Sequence, residues 1–126
     1  MKTIIISTVI ALGILFGAYH IAKPQSFGAA NAPTLLKNAT NTGVAVGVAS
    51  AAILTTNTAR QNAVIVNGGS NAVYLGFGTA AVVGQGVYLA PSGGTYQIND
   101  QNLYIGAING ITSTQTSQVT ALEIKQ

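Results

Sequence analysis

Apolar residues fall along this chain in two different ways. From Ile4 to Ala22 they run almost without interruption. From Val48 onward they come in short bursts separated by Gly, Asn, Ser and Pro. The first pattern predicts a helix that spans a membrane. Its 19 residues carry no formal charge, and His20 is the one titratable side chain among them; a spanning helix needs about 20 residues. Lys2 and Lys23 bracket the run and Pro24 ends it. Ile5, Val9, Leu12, Leu15 and Phe16 would face lipid, with Tyr19 at the interface, where amphipathic rings settle. Gly13 and Gly17 stand at the spacing that lets helices approach closely. A cleaved signal peptide is the competing reading. Lys2 would be its basic region and Ile4–Phe16 its apolar core, with Gly28-Ala29-Ala30 as a distant cleavage site.

The second pattern predicts strands. Candidate strands are Ala49–Thr55, Ala63–Asn67, Ala72–Phe77, Gly86–Ala90, Thr95–Ile98, Leu103–Ile108 and Gln118–Ile124. Turns are expected at Asn67–Asn71, Pro91–Gly94 and Asn99–Asn102, because Gly supplies positive φ and Asn tolerates it. Val73, Leu75 and Phe77 alternate with Tyr74; Val64 and Val66 alternate with Ile65; Val119, Ala121 and Glu123 alternate with Leu122 and Ile124. Turn signals every 8–12 residues or so point to a sandwich or barrel. The expected architecture is mainly β: a small antiparallel β-sandwich or jelly-roll-like domain over 48–126, preceded by a transmembrane helix over 1–23. Residues 24–47, rich in Ala, Asn, Thr and Gly, read as an extended linker arm.

Charge changes the picture. Only 6% of the residues are charged, against roughly 25% in typical soluble domains. A free monomer keeps itself soluble with far more, so this surface suits a homo-oligomer or a larger hetero-assembly. The net charge of +3 is spread too thinly for a basic patch, which argues against nucleic-acid binding. Without cysteine there is no disulfide, no thiol nucleophile and no Cys-bound zinc.

Candidate chemistry is sparse. Gly76-Phe77-Gly78-Thr79-Ala80-Ala81 matches a dinucleotide fingerprint, but the β-branched, Gly-broken Val82-Val83-Gly84-Gln85-Gly86 follows where a helix is required. It reads as a turn. Asp100 and Glu123 are the only carboxylates, one in an Asx-type turn and the other at the end of a strand. Ser and Thr have no base in the domain to activate them. No catalytic residue, metal site or cofactor is expected, and the chain reads as a non-enzyme. Arg60, the only arginine, is expected to donate hydrogen bonds between strands or subunits. Tyr74, Tyr88, Tyr96 and Tyr104 lie on four candidate strands and suit core or interface packing. Arg60 and these tyrosines form the candidate interface, and a sugar-binding aromatic face is the alternative.

Taken in order, Arg60–Asn67, Ala72–Gly78, Gly86–Tyr96 and Leu103–Ile108 resemble a small β module of bacteriophage structural proteins. The resemblance covers about half the chain. It implies a virion setting and no active site. With the predicted anchor, it looks like a component of a phage with an internal membrane. The partners would then be lipid and major capsid or vertex proteins, and the location the virion. A prokaryotic cell-surface or filament subunit, or a secreted carbohydrate-binding module, are the alternatives.

Overall fold

The computed structural model describes residues 38–126. The expected transmembrane helix, with Ile5, Val9, Leu12, Leu15, Phe16 and Tyr19, lies outside the described residues. Among the described residues no helix is long and apolar enough to cross a membrane.

Eight strands follow one another: β1 Asn38–Val46, β2 Ala51–Leu54, β3 Arg60–Asn67, β4 Val73–Phe77, β5 Val87–Leu89, β6 Gly94–Ile98, β7 Ile108–Thr112 and β8 Ser117–Lys125. They pair antiparallel in two four-stranded sheets, ordered β1-β8-β3-β6 and β2-β7-β4-β5. The chain changes sheet at every connection but one: β4 and β5 form a hairpin within one sheet. Connections 55–59, 78–86 and 99–107 emerge at one end, together with Asn38 and Lys125. Connections 47–50, 68–72, 90–93 and 113–116 emerge at the other.

The period of two along each strand decides which face is buried. On β3, Ala63, Ile65 and Asn67 point inward, while Val64 and Val66 are half-buried on the outside. On β4, Val73 and Leu75 point inward and Tyr74 outward. These inward residues meet Val46, Ile53, Leu54, Leu89, Ile98, Ile108, Val119 and Ala121 from the other strands, so one apolar core fills the space between the sheets. Gly110 allows that close approach: a Cβ there would lie 2.6 Å from Ile53 Cδ1.

Two sequence expectations are corrected. Asn38–Val46, read as the end of a linker arm, is strand β1, paired residue for residue with β8 from Asn38↔Lys125 to Val46↔Ser117. Small polar residues over Asn38–Gly43 hide this, because the strand lies at a sheet edge and buries little until Val46. Leu103–Ile108, read as a strand, is mostly loop; strand β7 begins at Ile108 and runs to Thr112. Leu103 and Ile105 are exposed, and the carbonyls of Tyr104 and Gly106 bond to an arginine instead of a ladder.

The Gly76–Ala81 stretch closes strand β4 at Phe77 and turns after it. Gly78 has φ +74°, and no helix follows. The 78–86 connection folds back onto the outer surface of the β2-β7-β4-β5 sheet. Ala81 N–H donates to Ser50 Oγ (2.8 Å), and Asn109 Nδ2 donates to the Thr79 carbonyl (2.6 Å). Ala81 Cα would sit 2.8 Å from a Cβ at position 76, so only glycine fits there.

Candidate functional site

Strand β3 carries a buried polar side chain at each end, and each ties several connections together. Arg60 opens the strand and is fully buried. Its Nε donates to Glu123 Oε1 of β8 (2.6 Å). One Nη donates to the Tyr104 (2.8 Å) and Gly106 (2.9 Å) carbonyls and the other to the Thr55 carbonyl (2.7 Å). The guanidinium therefore clamps the β2–β3 and β6–β7 connections to neighbouring strands β3 and β8 of one sheet. Arginine suits the task because its planar fork presents several donors in fixed directions. A register shift between Arg60 and Asn62 turns Arg60 inward, so both it and Ala63 face the core.

Glu123 closes the clamp. Lys125 Nζ lies 3.4 Å from its other oxygen, and Asn57 donates a further hydrogen bond. Burial pushes the carboxyl's pKa up. The bonds from Arg60 and Asn57, the Arg60 charge and Lys125 outweigh burial, so the pKa lies below the ordinary 4.5. Among the described residues the only other charged side chain is Asp100, in the Asn99–Asn102 turn. Three of the four charges thus sit in one cluster, which leaves both outer sheet faces uncharged.

Asn67 ends β3 and is likewise fully buried. Its Nδ2 donates to the carbonyls of Asn71 (2.8 Å), Ala90 (3.0 Å) and Leu89 (3.3 Å). Its Oδ1 accepts from Ser117 Oγ (2.7 Å) and Gly69 N–H (3.2 Å). One amide thus locks the 68–72 and 90–93 connections to the end of β5 and the start of β8. Nothing in the sequence singled Asn67 out beyond its place at a turn.

The tyrosines divide into two groups. Tyr96 and Tyr104 flank Phe77 edge-on, with ring centroids 5.4 and 5.3 Å apart, and pack against the core at the Arg60 end. Tyr74 and Tyr88 stand together on the outer face of the β2-β7-β4-β5 sheet, with centroids 5.5 Å apart and Tyr88 56% exposed. Ile111 pairs with Tyr74 in the next strand, so the row continues across the sheet. Arg60 is thus an internal clamp within one chain, and the structure does not bring it together with Tyr74 and Tyr88.

The outer face of the β1-β8-β3-β6 sheet holds a shallow, open groove of about 480 Å³. Val64, Val66 and Leu122 give it an apolar floor, and Asn41, Thr42 and Thr120 a neutral polar rim. Among the described residues no three His, Asp, Glu or Cys side chains come together to hold a metal. Among the described residues the surface carries this neutral groove, an aromatic row and the edges of two sheets. No family model, curated protein or solved structure matches this chain.

Proposed function

We propose that this chain is a minor structural protein of a virion, tying an internal viral membrane to the capsid shell or its vertices. The observation that carries this reading is the strand order β1-β8-β3-β6 facing β2-β7-β4-β5. That order is the jelly roll's, an architecture used by viral capsid and lectin domains. Two further features support it. The apolar run Ile4–Ala22 is long enough to enter a bilayer, and the sheet faces carry no charge that would keep a free monomer in solution. The mechanism is mechanical: apolar insertion at the N-terminal side and neutral sheet contacts with protein neighbours at the other.

Mass spectrometry of purified virions tests it. The protein is expected in the particles and is expected to leave them with the lipid on detergent or chloroform treatment. Its absence from virions overturns the reading. Intact mass tests the anchor separately, with the mature chain expected to retain Ile4–Ala22. A mature chain that starts beyond Ala22 would favour a secreted carbohydrate-binding module. The exposed Tyr74–Tyr88 pair suits that second reading, since sugars stack on aromatic faces.

A further inference from the structure

The geometry points to β1 as a dimerisation edge that pairs antiparallel with β1 of a second copy, merging two four-stranded sheets into one of eight. This goes beyond the virion reading and does not depend on it. Two four-stranded sheets have four edge strands; β5 and β2 are protected in the usual ways, and β6 is little more than half the length of β1. Strand β5 has 3 residues and β6 has 5. Strand β2 has 4, with a register shift between Ala52 and Leu54. Strand β1 is different. It has 9 residues, pairs with β8 without a bulge, and contains no charged residue and no proline. Most of it is exposed, and among the described residues no strand lies against its outer side. A long, regular, neutral edge presents a row of unpaired N–H and C=O groups, which is a template for another strand.

The sequence of β1 favours its own copy as that strand. A two-fold axis at Thr42 sets Thr42 opposite Thr42, Gly43 opposite Asn41, Val44 opposite Thr40 and Ala45 opposite Ala39. Every pair is small and neutral, Thr–Thr is a favourable cross-strand pair, and no like charges meet. Two-fold closure is also the commonest symmetry for an assembly of identical chains. The same axis brings the two outer grooves side by side, because Asn41 and Gly43 line the groove rim. The dimer then presents one continuous uncharged face.

Cysteine scanning of the full chain in non-ionic detergent tests the register, since the protein has no cysteine of its own. On oxidation Thr42→Cys is expected to form a covalent dimer, because directly opposite residues lie about 4.5–5.5 Å apart at Cα, within reach of a disulfide. Ala45→Cys alone is expected to stay monomeric on a denaturing gel. Its copy would sit six positions along the strand, roughly 20 Å away. Mixing Ala39→Cys with Ala45→Cys should restore the cross-link. Gly43→Lys is expected to shift the sedimenting species from dimer to monomer while keeping the β circular dichroism. A Cβ there meets Gln118 Nε2 at an ordinary 3.5 Å, so the fold accepts it. Cross-linking of Ala45→Cys to the same extent as Thr42→Cys overturns the proposal. So does a monomeric wild-type chain, which is the result expected if β1 pairs with a different protein.

Discussion

Replacing Glu123 with Gln keeps the side chain's shape and removes one charge, leaving the Arg60 guanidinium buried without its counterion. The three carbonyls of Thr55, Tyr104 and Gly106 still accept from Arg60, but none carries a full negative charge. Lys125 offers no compensation, and the new amide N–H₂ would face its ammonium. Removing one partner from a buried ion pair costs about 3–5 kcal/mol. Glu123 retains slight solvent access, with its side chain 9% exposed, which favours the lower end, near 3 kcal/mol. A small domain has on the order of 5–10 kcal/mol in total, so Glu123→Gln should remove a large share. Equilibrium urea unfolding of the full chain in non-ionic detergent, followed by tyrosine fluorescence, reads this directly. With a slope of about 1–1.5 kcal/mol per molar for a domain of this size, the midpoint should fall by roughly 2–3 M. Lys125→Gln is the control. Its side chain is 32% exposed, and pairs at that exposure contribute about 0–1 kcal/mol. A Glu123→Gln midpoint within 0.5 M or so of wild type, at unchanged slope, would refute the view of Arg60 as a charge-dependent clamp.

The other predictions follow from the same geometry. The folded-state pKa of Glu123 is lowered, so its contribution to stability is present above the unfolded carboxylate pKa. It is lost as pH falls below about 4.5 and through the lower folded value; urea midpoints should drop across that range in wild type and much less in Glu123→Gln. Gly84 and Gly86 share nearly the same positive φ, +79° and +75°. A Cβ at Gly84 meets nothing, whereas one at Gly86 strikes the Leu75 carbonyl oxygen. Gly84→Ala should therefore cost only about 1–2 kcal/mol of left-handed backbone strain, and Gly86→Ala enough more to unfold the domain at room temperature; equal losses would remove the close approach as the reason. Thr112 is buried in β7, and its hydroxyl has no hydrogen-bond partner among the described residues. Thr112→Val should be neutral or stabilising by about 1 kcal/mol in the same unfolding assay, and a loss beyond 1 kcal/mol or so would show that the hydroxyl is bonded after all.

Much of the fold was legible along the chain, because alternation and turn chemistry are local. Strands β4, β5, β6 and β8 lie within a residue or so of where Val, Leu, Tyr and Ile alternate between Gly-, Asn- and Pro-rich turns. Strand β3 begins earlier than its apolar run, at Arg60, because a buried arginine carries no hydrophobic signal. Strand β1 carried no signal either. An edge strand with one neighbour and little burial has no need of alternating apolar residues, so Asn-Ala-Thr-Asn-Thr reads as a linker. The opposite error at Leu103–Ile108 has the opposite cause. Leu, Tyr and Ile alternate there as in a strand, but Tyr104 packs against Phe77 and the backbone carbonyls are captured by Arg60. Of the candidate interface residues, the sequence could not say which stay at the surface and which turn inward. Tyr96 and Tyr104 went to the core margin, Tyr74 and Tyr88 to the surface, and Arg60 to the interior.

Local pattern alone established that this chain is β-rich beyond Val48, nearly uncharged, and preceded by a run apolar enough for lipid. Those properties follow from composition and from the two-residue repeat of a pleated strand, neither of which needs a partner to be read. Only the tertiary structure decided which strands are neighbours, and hence that β1 lies beside β8 and that β3 is held at both ends by buried polar clamps. Strand order is set by contacts between residues far apart in sequence, as with Arg60 and Glu123. No stretch of sequence encodes such a contact by itself, because the energy of a buried ion pair exists only once both partners have left water together.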